Sequence, residues 1–203
     1  MKAVVIYCHP DPESFTAAVK QTVCAKLQSA GAETRVLDLY DLDFQPVLTQ
    51  GAWRAYEDES RNCEGVEAHV ETVRWADTMI FVYPTWWYGM PAMLKGWLDR
   101  VLVPGVAFHM PQGEDIRPAL HNITRLGVFT TGGASRWLTA FIGAPGRRTL
   151  MRGVRLLCAP KVRLSFAMHY DMDDSTPATR ERHLRKVARA MDRLVRPQSG
   201  ERA

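Results

Sequence analysis

Thr78-Met79-Ile80-Phe81-Val82-Tyr83-Pro84-Thr85-Trp86-Trp87-Tyr88-Gly89-Met90-Pro91-Ala92-Met93-Leu94-Lys95-Gly96-Trp97-Leu98-Asp99-Arg100-Val101-Leu102 changes chemistry twice along its length. Residues 78–82 form a short apolar run, as expected of a strand covered on both faces. From residue 92 the apolar side chains Met93, Leu94, Trp97, Leu98, Val101 and Leu102 recur at helical spacing. Pro91 suits the first turn of that helix. Between strand and helix lies a short loop carrying three consecutive large aromatics, Trp86, Trp87 and Tyr88. Loops run over the surface, so these rings either cap the core beneath them or form a platform for a planar ligand.

Upstream, Lys2-Ala3-Val4-Val5-Ile6-Tyr7-Cys8 is a second strand of the buried kind. His9-Pro10-Asp11-Pro12-Glu13-Ser14 stops it, because two prolines forbid regular structure, and Ser14 is a good N-cap. The spacing predicts a helix over 15–30 with Ala18, Val19, Val23 and Leu27 on one face, ended by Gly31 at the position after the cap. Glu33-Thr34-Arg35-Val36-Leu37-Asp38-Leu39 is the next strand, which completes the strand–helix–strand rhythm of a parallel sheet. Residues 40–63 are irregular, with a short helix expected near 52–57, and 66–75 reads as the crossover helix into the strand at 78.

Downstream, residues 103–121 carry Pro104, Gly105, Pro111, Gly113 and Pro118 and read as an excursion. Its Val106, Phe108 and Met110 suggest an apolar arm covered by a second subunit. Residues 123–130 form the fourth strand and run into Thr131-Gly132-Gly133. Residues 135–153 are helical in pieces, 162–168 is the fifth strand, and a last helix reaches Val195, with Thr176 as its cap and Pro177 at its first position. One domain over 1–196, with a flexible polar tail from 197 to 203, accounts for the chain.

The composition, 46% hydrophobic and 24% charged over 203 residues, is that of a globular protein. No apolar run reaches the roughly 18 residues that span a bilayer, and no signal-peptide pattern opens the chain, so a cytoplasmic location is expected. Cys8, Cys24, Cys63 and Cys158 are scattered, without metal-ligand spacing, so neither a disulfide framework nor a metal site is expected. Residues 147–203 hold 14 Lys/Arg against 6 Asp/Glu, a local +8 that leaves −4 for the rest. Because Arg180, Arg182, Arg185, Lys186, Arg189, Arg193 and Arg196 alternate with Leu184, Val187, Met191 and Leu194, this is the basic outer side of an amphipathic helix. No nucleic-acid partner is expected.

The fold class is therefore α/β: an open five-stranded parallel sheet in the order 2-1-3-4-5, with helices on both faces. Ligands bind such sheets at the carboxyl ends of the strands, where strand order reverses. In that order the first, third and fourth strands are neighbours, and each ends in an unusual loop. The first loop offers His9, the Ser14 and Thr16 hydroxyls and the free amides of a helix N-terminus, which suit a phosphate. The loop Pro84–Gly89 offers aromatic faces, and Thr130, Thr131, Gly132 and Gly133 offer hydroxyls and close backbone approach. The first loop contains no glycine, which argues against a GxGxxG site, and no P-loop occurs. Phosphate at one end, stacking at the other and backbone donors along an edge describe a flavin.

His9-Pro10, Ser14-Phe15, the long motif 83–101 and Thr130-Thr131-Gly132-Gly133 together resemble the flavodoxin-like NAD(P)H:quinone oxidoreductases of the DT-diaphorase type, over roughly residues 2–133. The resemblance implies a homodimer with FAD, or FMN in some members, and NADPH or NADH as donor. It implies that His9, Ser14, Phe15 and Thr16 hold the phosphates, that Pro84, Thr85, Trp86, Trp87, Tyr88 and Gly89 line the ring, and that Thr130, Thr131, Gly132 and Gly133 contact its pyrimidine edge. By the same token Phe108 and Met110 fall where family members place lid residues over the partner subunit's flavin, so that Phe108, Met110 and Trp137 belong to the substrate pocket, and Trp87, Tyr88, Gly132 and Gly133 to the catalytic surface. It further implies ping-pong two-electron transfer through flavin N5 to a quinone or similar electrophile, with reduced-flavin charge met by amides near Gly132 and Gly133. Family members carry a Tyr and a His shortly after the Gly-Gly, whereas this chain has Ala134-Ser135-Arg136-Trp137-Leu138-Thr139. An electron-carrier or regulatory subunit serving a protein partner is the alternative. For that role an acidic docking face is usual, whereas this chain is net basic. Arg147 and Arg148, after Gly143-Ala144-Pro145-Gly146, either read a 2′-phosphate of NADPH or open a helix as solvated cations.

Overall fold

The computed structural model describes residues 1–111, 113 and 115–197. Five strands, β1 (Lys2–Tyr7), β2 (Glu33–Asp38), β3 (Thr78–Pro84), β6 (Arg125–Thr131) and β7 (Arg163–His169), pair in the order β2-β1-β3-β6-β7. Every pairing in this sheet is parallel. The expected 2-1-3-4-5 order is thus the observed one, with the two-residue strands β4 (Phe108–His109) and β5 (Arg117–Pro118) inserted as a separate antiparallel pair.

Alternation along each strand divides two cores. Val4 and Ile6 of β1 join Met79 and Phe81 of β3 against α3 (Glu67–Trp75) and α4 (Ala92–Val101). Ala3, Val5, Ile80 and Val82 face α1 (Phe15–Ser29) and α8 (Pro177–Leu194). Both sheet faces are covered at the centre of the sheet, so β1 and β3 read as near-continuous apolar sequence. α8 inserts Val187, Ala190, Met191 and Leu194. Burying each of the larger side chains stabilises the fold by about 1.5–3 kcal/mol, while the Arg-rich side stays outside.

The helix boundaries follow capping chemistry. Ser14 accepts from the Ala17 amide at 3.2 Å, and Thr176 and Thr179 form a reciprocal capping box, with Pro177 at the first position of α8. Pro91 stands one residue outside α4, at its N-cap, rather than within the first turn. The helix expected over 52–57 lies earlier, as α2 (Gln50–Arg54), because the Thr49 hydroxyl caps the Ala52 amide at 3.2 Å.

The excursion departs from expectation. Val106 is 4% exposed and Phe108 packs on this chain's own core. Gly105 turns the chain at φ +76, the Ala119 amide bonds Ala107 O at 2.9 Å, and the Leu120 amide bonds Leu157 O at 2.9 Å. These bonds fold the arm inward, and of Val106, Phe108 and Met110 it is Met110 that keeps substantial exposure. Between α5 (Arg136–Ile142) and β7 the chain runs through α6 (Pro145–Arg148), a π-helical stretch (Thr149–Val154) and α7 (Arg155–Leu157). The four cysteines are free, with Cys8 and Cys158 buried. Burial pushes both of those thiols up to about 12. Among the described residues no helix is long and apolar enough to cross a membrane. The tail from 198 lies outside the described residues.

Candidate active site

The carboxyl ends of β1, β3 and β6 lie side by side, and their loops enclose a cleft of about 1050 Å³. It is lined by His9, Ser14, Phe15 and Thr16 from the first loop, by Pro84, Thr85, Trp86, Trp87 and Tyr88 from the second, and by Thr131, Gly132 and Gly133 from the third.

The first loop presents amides. Asp11 N–H donates to His9 Nδ1 at 3.0 Å and Glu13 N–H to Asp11 Oδ1 at 2.8 Å. His9 Nδ1 also lies 3.1 Å from Asp11 O, so either neutral tautomer finds a partner in this turn, and burial holds the imidazole below its ordinary pKa. Ser14 is occupied as the cap of α1. The Phe15 and Thr16 amides, at the first turn, have no acceptor among the described residues.

The second loop is strained. Trp87 and Tyr88 hold φ of 49° and 61° without being glycine, and each such residue costs roughly 1–2 kcal/mol. The turn closes through Gly89 N–H to Trp86 O at 2.9 Å, so Gly89 shapes the loop instead of lining the cleft. Trp87 is 94% exposed and Trp86 44% exposed. The core-capping alternative is thereby excluded for Trp87. Tyr83, by contrast, is fully buried in β3.

The third loop is hydrogen-bonded from behind. Thr130 donates or accepts with the Thr85 hydroxyl at 2.8 Å, and Thr131 pairs with the Thr16 hydroxyl at 3.1 Å. Thr130 is buried and supports the wall rather than lining it. The Gly132 amide is consumed by His169 O at 2.9 Å, so of the two glycine amides expected to meet ligand charge only Gly133's has no acceptor among the described residues. A Cβ on Gly133 would lie 2.4 Å from Asp173 Oδ2, which is why the carboxylate can sit over this backbone.

Phe108, Met110 and Trp137 do not line the cleft. Trp137 stacks on Phe141 at 5.5 Å on the outer side of α5, and that helix turns Leu138 and Thr139 inward instead. Thr139 is 4% exposed and its hydroxyl is buried without a partner. Arg147 lies 4.6 Å over the Phe166 ring and the Arg148 guanidinium packs beside Gly143; neither lines the cleft. Asp11, Ala134, Leu138, Thr139, Met168, Met172 and Asp173 line it without having been singled out from the sequence. The rule that picked three loops also covers the last three of these residues, since β7 ends beside β6 and Tyr170-Asp171-Met172-Asp173 follows it. Behind that wall His169 and His183 meet edge to face at 5.2 Å against Phe15. Burial drives the His183 imidazole down to about 4.

Free amides, exposed aromatic faces and a tight polar edge in one cleft fit an aromatic ring system carrying a phosphate-bearing tail. A family model described as a flavodoxin-like fold matches residues 1–190 of the chain, well past Gly133. Rat ribosyldihydronicotinamide dehydrogenase (quinone) is 32% identical over 155 residues, which cover 68% of this chain; the chain spans 66% of that relative's length. The human protein of that name is 30% identical over 188 residues, covering 82% of this chain and 81% of the relative. The solved NAD(P)H:quinone oxidoreductase from Methanothermobacter marburgensis superposes with a TM-score of 0.82 at 26% identity, covering 98% of both chains.

Proposed function

We propose that this chain, which belongs to the flavodoxin-like family, is a flavin-dependent NAD(P)H:quinone oxidoreductase. The convergence of the Phe15–Thr16 amides, the Trp86–Tyr88 ledge and the Thr131–Gly133 edge in one cleft carries this reading. The names of the similar proteins support it. When bound, the flavin would supply the two-electron chemistry that neither aromatic nor hydroxyl side chains can perform.

The chain's own residues bind, orient and shield. His9, Ser14, Phe15 and Thr16 sit where a helix N-terminus favours phosphate. Trp86, Trp87 and Tyr88 offer faces for a flat ring, and the donor and acceptor substrates would stack in turn over the same ledge. The Gly133 amide is a donor for charge that develops on the ring's polar edge. Asp11 and Asp173 offer acceptors to sugar hydroxyls. Thr139 stands in the segment where family members carry a Tyr; a hydroxyl of this kind positions but does not titrate near neutral pH, so the proton taken up by the product comes from solvent.

We assign FAD as the flavin, with FMN as the second candidate, and a homodimer as the assembly. The stacked Trp137–Phe141 pair, 73% and 76% exposed beside the cleft wall, is the kind of aromatic surface a second copy covers. Free thiols suit a reducing compartment such as the cytoplasm.

Purification with a yellow chromophore, identification of the released flavin by mass, and NADH or NADPH consumption with a free quinone test the proposal together. Protein that takes up neither FAD nor FMN, or that consumes reduced nicotinamide only with a protein acceptor, overturns it.

A further inference from the structure

The aromatic ledge is strained, exposed and carries no glycine at its two left-handed positions, so something outside the loop must hold it. The structure offers one backbone contact that does so. Gly146, buried at the second position of α6, lies against the turn: a Cβ there would stand 3.1 Å from Gly89 C, 3.3 Å from Gly89 Cα and 3.3 Å from Met90 N. All three are backbone atoms, which cannot step aside as a flexible side chain would. The Gly146 amide also reaches Tyr88 O at 3.5 Å. The corner that delivers Gly146 is itself preset, by Gly143 at φ 93°, Ala144 at φ 48° and Pro145 at the first position of α6.

The contact is asymmetric. A Cβ on Gly89 would meet only Trp86 O at 3.8 Å and Trp87 O at 3.9 Å, ordinary packing distances. The absence of a side chain is therefore required on the α6 side of the contact, not in the loop. The same corner ends α5, whose Leu138 and Thr139 form the facing wall of the cleft.

We propose that Gly146 is a positioning residue for the aromatic ledge: by admitting the backbone of the 86–90 turn into contact with the α5–α6 corner, it sets the separation between Trp87–Tyr88 and the α5 wall, and with it ligand affinity. The inference rests on the flavin reading above and adds to it a residue that touches no ligand.

The test compares Gly146→Ala with Gly153→Ala, whose added Cβ would meet nothing within 4 Å. Apoprotein of each is titrated with FMN and FAD by flavin fluorescence quenching, and the visible bands of the bound flavin and the melting temperature are recorded. Gly146→Ala is expected to bind at least tenfold more weakly and to shift the visible bands, while Gly153→Ala stays within about threefold of the parent. Unchanged affinity and spectrum in folded Gly146→Ala overturn the inference. If Gly146→Ala does not fold, Pro145→Ala decides, because it loosens the corner without adding atoms against the turn: weaker binding at an unchanged melting temperature supports the role, and parental binding overturns it. A parent that binds no flavin sinks the functional reading itself, which is a distinct outcome.

Discussion

The loops that leave β3 and β6 spring from adjacent, in-register positions, Pro84 beside Thr131, yet they are built on opposite plans. After β6 the polar groups are turned inward: Thr130 and Thr131 are buried, and their hydroxyls are paired with Thr85 and Thr16. After β3 the apolar groups are turned outward, with Trp87 almost fully exposed on a left-handed backbone. Ordinary partitioning would do the reverse. The hidden polar network makes one wall rigid, and the displayed aromatics leave the other wall with unsatisfied apolar surface. A protein keeps strain and exposed rings together where a ligand will cover them.

Removing the displayed rings breaks the comparison most sharply. Trp86→Ala with Trp87→Ala is expected to weaken flavin binding by about 3 kcal/mol, on the order of 100-fold, while the melting temperature of flavin-free protein moves by less than about 2 °C. Stoichiometric flavin in the purified double variant would show that the ledge is not the platform.

On the rigid side, acid should act through the histidines packed behind the third loop. His183 titrates near 4 when folded, against an ordinary 6.5, chiefly because it is desolvated and secondly because His169 faces it. The unfolded chain therefore takes up the proton first. The stability this site contributes is complete above pH 6.5 and is lost as pH falls toward 4, by up to about 3 kcal/mol. Burial lowers His169 as well, which works in the same direction. Urea unfolding of the parent and of His183→Phe, between pH 7 and pH 5, checks this: the variant should lose distinctly less stability, and equal losses would contradict the assignment.

Thr131→Val probes the buried hydroxyl pair. It orphans Thr16 and should cost flavin-free protein about 2 kcal/mol, or roughly 4–8 °C in melting temperature. Adding Thr16→Val should recover part of that loss, since no buried hydroxyl is then left unpaired. A double variant as unstable as the sum of the singles would show that the two hydroxyls act independently.

The smallest effect is expected from Arg147→Ala with Arg148→Ala. Neither side chain lines the cleft, so the ratio of KM for NADPH to KM for NADH should change by less than twofold. The lost contact with Phe166 should lower stability by about 0.5–1 kcal/mol. A selective rise in the KM for NADPH would restore these arginines to cofactor recognition.

Much of this cleft was legible because its chemistry is local. Ser14 is a cap wherever an apolar helix follows two prolines, and Trp86-Trp87-Tyr88 is conspicuous in any loop. Trp137 misled, because an aromatic close to Gly133 in sequence can still sit on the far side of a helix turn, where it stacks on Phe141. Leu138 and Thr139 carry no comparable signal, and Asp173 lies 40 residues beyond the glycine it covers. The inward packing of Val106 was hidden for the same reason: its partners come from segments distant in the chain.

From sequence alone follow the alternation of strands and helices, the parallel sheet covered on both faces, the helix caps and the three loops that meet at its carboxyl edge. These depend on periodicity and capping within a few residues, which a linear reading can inspect. Tertiary structure alone decided that the Gly132 amide is spent on His169 while Gly133's is not, that Thr130 stands behind the wall, and that Arg147 lies on Phe166. It also decided that Gly146 meets Gly89 backbone to backbone. Such outcomes turn on distances of 3 to 4 Å between segments joined only through the packed core, and no spacing along the chain encodes a distance of that kind.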